Sequence, residues 1–223
     1  MLTSSVRSCS MLAAALVASI AFTAAPVFAQ SGKPAPATPQ AALDALEAAN
    51  AQGDARTALA LITPEGQKRL MRETVINGLM LLAFMDPDDP SPMGPKPTGA
   101  DLVKKREAYK AVKTSITAAL KPSGLDAAIG KPLMPAEEVV DQKIGAADPL
   151  LVVPAIMDAA IKAGPAFGMK GTPPMMKLQP FTNLKVDGDH ATVKSGPRTM
   201  KIDKVAGKWL IDAPLPEPAA PAQ

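Results

Sequence analysis

Phe181-Thr182-Asn183-Leu184-Lys185-Val186-Asp187-Gly188-Asp189-His190-Ala191-Thr192-Val193-Lys194 decides how this chain folds, because apolar and polar residues alternate on both sides of an Asp-Gly pair. Alternation with period two marks a strand with one buried face, and Asp-Gly favours the positive φ of a tight hairpin turn. The device recurs in Arg198-Thr199-Met200-Lys201-Ile202-Asp203 and Lys208-Trp209-Leu210-Ile211-Asp212, joined across Ala206-Gly207. Four strands in an antiparallel meander are predicted. Leu184, Val186, Ala191, Val193, Met200, Ile202, Trp209 and Ile211 form its apolar face, which is expected to carry helices.

Upstream, the period changes to that of helices. Ala41 to Ala49 is rich in helix formers, with Leu43 and Leu46 on one face, and Gln52-Gly53-Asp54 interrupts it. Asp54 caps a short second helix, and Thr63-Pro64 starts a third that runs to about Met85, with Thr63 as N-cap and Pro64 at the first position. The second half of that helix, Val75 to Met85, is apolar all round, so it is expected to be buried in a core or pressed against another surface. Asp101 to Leu120 is amphipathic, with Leu102, Tyr109, Val112, Ile116 and Leu120 on one stripe. Two shorter helices follow, from Pro135 to about Ile144 and from the cap Asp148 to Ala163, where Pro154 can introduce a kink. The fold class is therefore α+β: N-terminal helices packed on a C-terminal four-stranded antiparallel meander.

The chain begins with Arg7 ahead of an apolar run, Met11 to Phe22, then Pro26 and Val27-Phe28-Ala29. That order reads as a secretory signal over residues 1–29, cleaved between Ala29 and Gln30, which implies a periplasmic or secreted protein with no membrane span after cleavage. Residues 30–40 read as a disordered linker, 41–213 as a single α+β domain and 214–223 as a disordered tail, since both ends are rich in Pro and Ala. The one cysteine, Cys9, leaves with the signal, so disulfides, thiolate metal sites and a cysteine nucleophile are excluded from the mature chain. Removing Arg7 from the 24 basic residues leaves 23 against 21 acidic ones, a net charge of about +2 with signs interspersed. Aromatics are 3% of the chain, and no basic stripe is interleaved with them, so nucleic acid is not an expected partner.

Several clusters of residue types in the chain could carry chemistry. Lys104-Lys105-Arg106 reads as the solvated face of a helix. Asp86, Asp88 and Asp89, in a loop with five prolines up to Gly99, lack the alternate oxygen ligands, central Gly and terminal Glu of a calcium loop. His190 is the only histidine and reads as an exposed turn residue beside Asp189. Met169, Met175 and Met176 lie in a Pro and Gly-rich loop where adaptable packing competes with copper(I) binding through thioethers. No catalytic, cofactor-binding or metal residue is assigned.

Ala51-Gln52-Gly53-Asp54, Leu61-Ile62-Thr63-Pro64-Glu65 and a terminal meander ending Val205-Ala206-Gly207-Lys208-Trp209-Leu210-Ile211-Asp212 together resemble exported members of the NTF2-like (cystatin-like α+β) superfamily. The resemblance implies a curved sheet wrapped around helices to leave a cone-shaped pocket. The chain departs from that pattern in the long stretch of helix and proline-rich loop between the matching parts. Enzymes of that fold place a carboxylate base and a tyrosine or second acid in the pocket; Tyr109 is the only tyrosine here, and no family residue carries over. The expected function is a non-catalytic binding or interaction module of the cell envelope, its partner a protein or a small apolar ligand. The alternatives are a pocket enzyme using acid–base chemistry, which needs an inward carboxylate of raised pKa near Tyr109, and copper binding by the methionine loop.

Overall fold

The structure, a computed structural model, describes residues 36–88, 98–168 and 178–212. The signal segment 1–29, its cleavage site, most of the 30–40 linker, Asp89, the methionine loop and the 214–223 tail lie outside the described residues. The end of the expected linker lies inside them. Helix α1 spans Pro39–Gln52, starting before Ala41 because the Thr38 hydroxyl accepts the Ala41 N–H at 3.1 Å and Pro39 opens the first turn. Pro36 and Pro39 are buried, and the Trp209 indole donates to the Ala37 carbonyl at 3.2 Å. The boundary of the folded unit therefore moves upstream to the point where these residues gain contacts.

Gly53, at φ 68°, ends α1 and donates back to its last turn. Helix α2 (Ala55–Ala60) is capped by Asp54, which accepts from Thr57 at 3.0 Å, and α3 (Pro64–Met85) by Thr63, which accepts from Gly66 at 3.2 Å. Helix α4 spans Gly99–Leu120, α5 Leu133–Lys143 and α6 Pro149–Ala163, the last capped by Asp148 with Pro154 inside it. The 149–167 stretch is apolar and long enough to cross a membrane by length and composition. Here it packs against α3 and α4. Gly78 of α3 explains how closely: a Cβ there would stand 3.0 Å from Ile156 Cγ2.

The strands are β1 (Phe181–Asp187), β2 (His190–Ser195), β3 (Arg198–Val205) and β4 (Lys208–Ile211), antiparallel and in the order β1-β2-β3-β4. The first hairpin turns on Gly188-Asp189 instead of Asp187-Gly188, since Asp187 pairs with His190 and only Gly188 of the two has positive φ. Ala206-Gly207 turns as expected, with positive φ at both residues. Leu61 to Thr63 runs along the outer edge of β4: the Ile211 N–H donates to Leu61 O at 2.8 Å and the Thr63 N–H to Ile211 O at 3.0 Å. The edge is covered at Ile211. The β1 edge is interrupted at Asn183, a left-handed residue (φ 56°) in a bulge.

The core divides in two, which the sequence pattern did not foretell. Ala42, Leu43 and Leu46 of α1, with Ala58, Leu61 and Ile62, cover Ala191, Val193, Met200, Ile202, Trp209 and Ile211 of the sheet. The longer helices α3 to α6 gather around their own centre of Val75, Leu82, Val112, Ile116, Val140 and Ile156. The sheet is therefore covered mainly by α1 and the α2–α3 junction, with Leu70 of α3 packed against both cores. Leu59 belongs to the helical core while Ala58 and Leu61 belong to the sheet core, so α2 is the joint. Gln67 pins it, its side-chain amide donating to Leu59 O at 2.9 Å and Ile62 O at 3.0 Å.

Two expectations about burial need correction. Val186, placed on the inward face by alternation, is 56% exposed, because it lies on the open edge strand near the hairpin end, past the helical cover. The apolar run of α3 is buried on one side only. Val75, Gly78, Leu82 and Met85 face the core, whereas Met80 is 37% and Phe84 68% exposed.

Candidate functional site

The most connected polar group around a sequence-selected residue is the corner between α3 and α4. Asp86 ends α3, and its carboxylate accepts the Asp88 N–H at 3.0 Å, turning the chain back. Half-buried Tyr109 on α4 donates its hydroxyl to Asp86, and burial, followed by the Asp86 charge and that hydrogen bond, pushes the phenol above its ordinary pKa. A phenol held protonated and aimed at a carboxylate ties two helices. Lys113 Nζ stands 5.6 Å from the Tyr109 ring centre. One turn before Tyr109, Arg106 grips Asp88 from Nε at 3.1 and 3.2 Å, which holds that carboxyl below and the guanidinium above their usual values.

The expected solvated face of α4 is thus partly paired, since Lys105 also meets Asp101 at 3.1 Å. Asp88 acts as an anchor for Arg106.

The carboxyl whose proton affinity is raised is Glu73, chiefly by burial and against the opposing charges of Arg69, Arg72 and Arg198. It lies 13 residues before Asp86 on the same helix, about 20 Å at the helical rise. The raised carboxyl is therefore remote from Tyr109, and the carboxylate beside that phenol is Asp86. Around Glu73 the neighbours are structural: Arg72 grips Asp141 of α5 through Nε at 2.6 Å and Nη2 at 3.2 Å, and Arg69 pairs with Asp212 after β4. These partners are 69 and 143 residues apart in the chain, so no local pattern announces them.

His190 is not in the turn. It opens β2, and its Nδ1 meets Asp203 Oδ1 of β3 at 2.7 Å across the ladder. That hydrogen bond, then the Asp203 charge, then Asp189 and Asp187, raise the imidazole above its ordinary pKa. Among the described residues no group of three or more His, Cys, Asp or Glu could hold a metal ion. Met169, Met175 and Met176 fall outside the described residues.

The described surface carries shallow depressions. One runs between α4 and α6 over Ala108, Ala111, Ser115, Ala159 and Ala163, and another between α1 and Leu178-Gln179-Pro180. Neither opens between helices and sheet, where Leu43, Leu46, Leu61, Ile62, Met200, Ile202 and Ile211 are at most 1% exposed. The inner face of the sheet is filled by side chains.

Leu133 and Met134 are exposed side by side at the start of α5, and a second exposed apolar feature is on α3. Met80 and Phe84 are one helical turn apart on the side away from the core. Its signal was legible as an apolar run continuing around the helix. Compared with known proteins, the chain matches no family model, no curated protein and no solved structure.

Proposed function

We propose that this protein is a non-catalytic binding module that engages a protein partner through the outer side of α3. The observation that carries the reading is Phe84, 68% exposed and one turn from the partly exposed Met80. A helix that already buries Val75, Leu82 and Met85 needs no aromatic on its far side for folding. Covering that ring with a partner removes apolar area from water, and an aromatic anchor of this kind is a common centre of binding energy. The N-terminal apolar run ahead of Ala29 supports a site of action outside the cytosol.

The test is site-specific photocrosslinking in the cell that makes the protein. A photoreactive phenylalanine at position 84 is expected to trap a discrete partner, whereas one at exposed Thr114 on α4 is not. Equal or absent crosslinking at the two positions would overturn the proposal. Fractionation of the same cells checks the compartment: product retained in the cytosol with residues 1–29 attached contradicts export.

A further inference from the structure

The pairing register assembles a pattern that the linear sequence does not display. Across the outer face of the sheet, Lys185, Thr192 and Lys201 are directly opposed on β1, β2 and β3. The next row outward on the same face is Thr182, Lys194 and Thr199. Lysine and threonine alternate in both directions, and all six side chains are exposed.

At the usual strand spacing and rise, the three lysines form a triangle with sides of about 8–10 Å. None of them is in an ion pair among the described residues, whereas Arg69, Arg72, Lys105, Arg106 and Lys204 are. The chain as a whole has 24 basic and 21 acidic residues. Six neighbouring positions with three lysines and no carboxylate are therefore a local segregation of charge. Of the carboxylates near this face, Asp187 and Asp203 flank His190 in the row on the other side, toward the β1–β2 turn, and Asp212, whose N–H donates to Lys201 O at 2.8 Å, is already paired with Arg69. The basic end is thus the one near the β2–β3 turn.

The geometry selects among anions. A linear acidic polymer is matched by charges in a line or a groove, but these three are not collinear and stand on an open sheet face. Three coplanar ammonium groups with hydroxyls between them fit a planar array of anionic headgroups. We propose that the outer face of the sheet docks on an anionic lipid surface through Lys185, Lys194 and Lys201. The inference is independent of the helical face carrying Phe84.

A lysine close to an anionic leaflet contributes about fivefold in partition, so three contribute on the order of 100-fold. The test is cosedimentation of the full chain with vesicles of phosphatidylcholine alone and of phosphatidylcholine with phosphatidylglycerol. The neutral vesicles report any binding by the N-terminal apolar run, and the increment due to phosphatidylglycerol reports the face. That increment is expected to fall on the order of 100-fold in the triple variant Lys185→Gln, Lys194→Gln, Lys201→Gln and to return in the triple arginine variant. Should the triple variant misfold, each single glutamine variant is expected to lose about fivefold. An increment that is absent, or that the glutamine variants leave unchanged, overturns the proposal. Lysine-dependent binding of soluble polyglutamate without a vesicle increment also overturns it, in favour of an acidic polymer.

Discussion

Replacing Leu46 with alanine tests the sheet core at its helical side. Leu46 is 0% exposed and packs with Leu43, Ile202, Trp209 and Ile211 in one cluster. Three carbons lost from a fully buried site give about 2–3 kcal/mol from transfer, and the cavity left behind raises this to about 3–4 kcal/mol. For a domain of this size that is a fall in Tm of about 10 °C. Urea unfolding followed by the fluorescence of Trp209, the only tryptophan, measures it directly. The matched control is Val186→Ala, which the sequence pattern alone places in the same core but which is 56% exposed; it should cost about 0.5 kcal/mol or less. A loss below about 1 kcal/mol at Leu46, or equal losses at the two sites, would refute the packing of α1 on the sheet.

Three further outcomes follow from particular residues. Ala206 holds a left-handed φ of 51° at an exposed turn position ahead of Gly207, so Ala206→Asn should add about 1 kcal/mol to unfolding free energy in urea; a loss would mean the turn is of another type. The His190 imidazole should titrate above the ordinary histidine value of 6.5 by NMR and return toward it in Asp203→Asn. Because its folded pKa is raised, the stability from this pair is complete below 6.5 and is lost as pH rises through the folded value; an unshifted titration sinks the pair. Gly78→Ala in an exposed helix would gain about 1 kcal/mol, but against Ile156 Cγ2 at 3.0 Å that gain should vanish or reverse. A full gain in thermal melts would show α3 and α6 to be further apart.

What the sequence made legible was local. Thr63-Pro64, Asp54 and Asp148 announce helix starts through their own side chains, and each caps the helix it was expected to cap. The meander was legible because period-two alternation and Gly at turns act within a few residues. What stayed hidden depends on contacts between distant segments. Leu43 and Leu46 on α1 look like Val112 and Ile116 on α4, yet one pair meets the sheet and the other meets helices. An amphipathic stripe states that a face is buried, and it carries no address for the surface that buries it. The same reason conceals Arg72 with Asp141, and the lysine rows, which exist only once the strand register is fixed. At the α3–α4 corner, Asp86 and Tyr109 are 23 residues apart in the chain, and only the fold joins them as a tie.

The apolar face of the sheet is closed off by α1 and the α2–α3 junction. Trp209, 5% exposed with its indole donating to Ala37, sits at that closure. Acrylamide quenching of its fluorescence in the native protein is the most direct measurement. Strong protection that disappears in urea is the predicted result, and native-state quenching as rapid as in the unfolded chain would contradict the account.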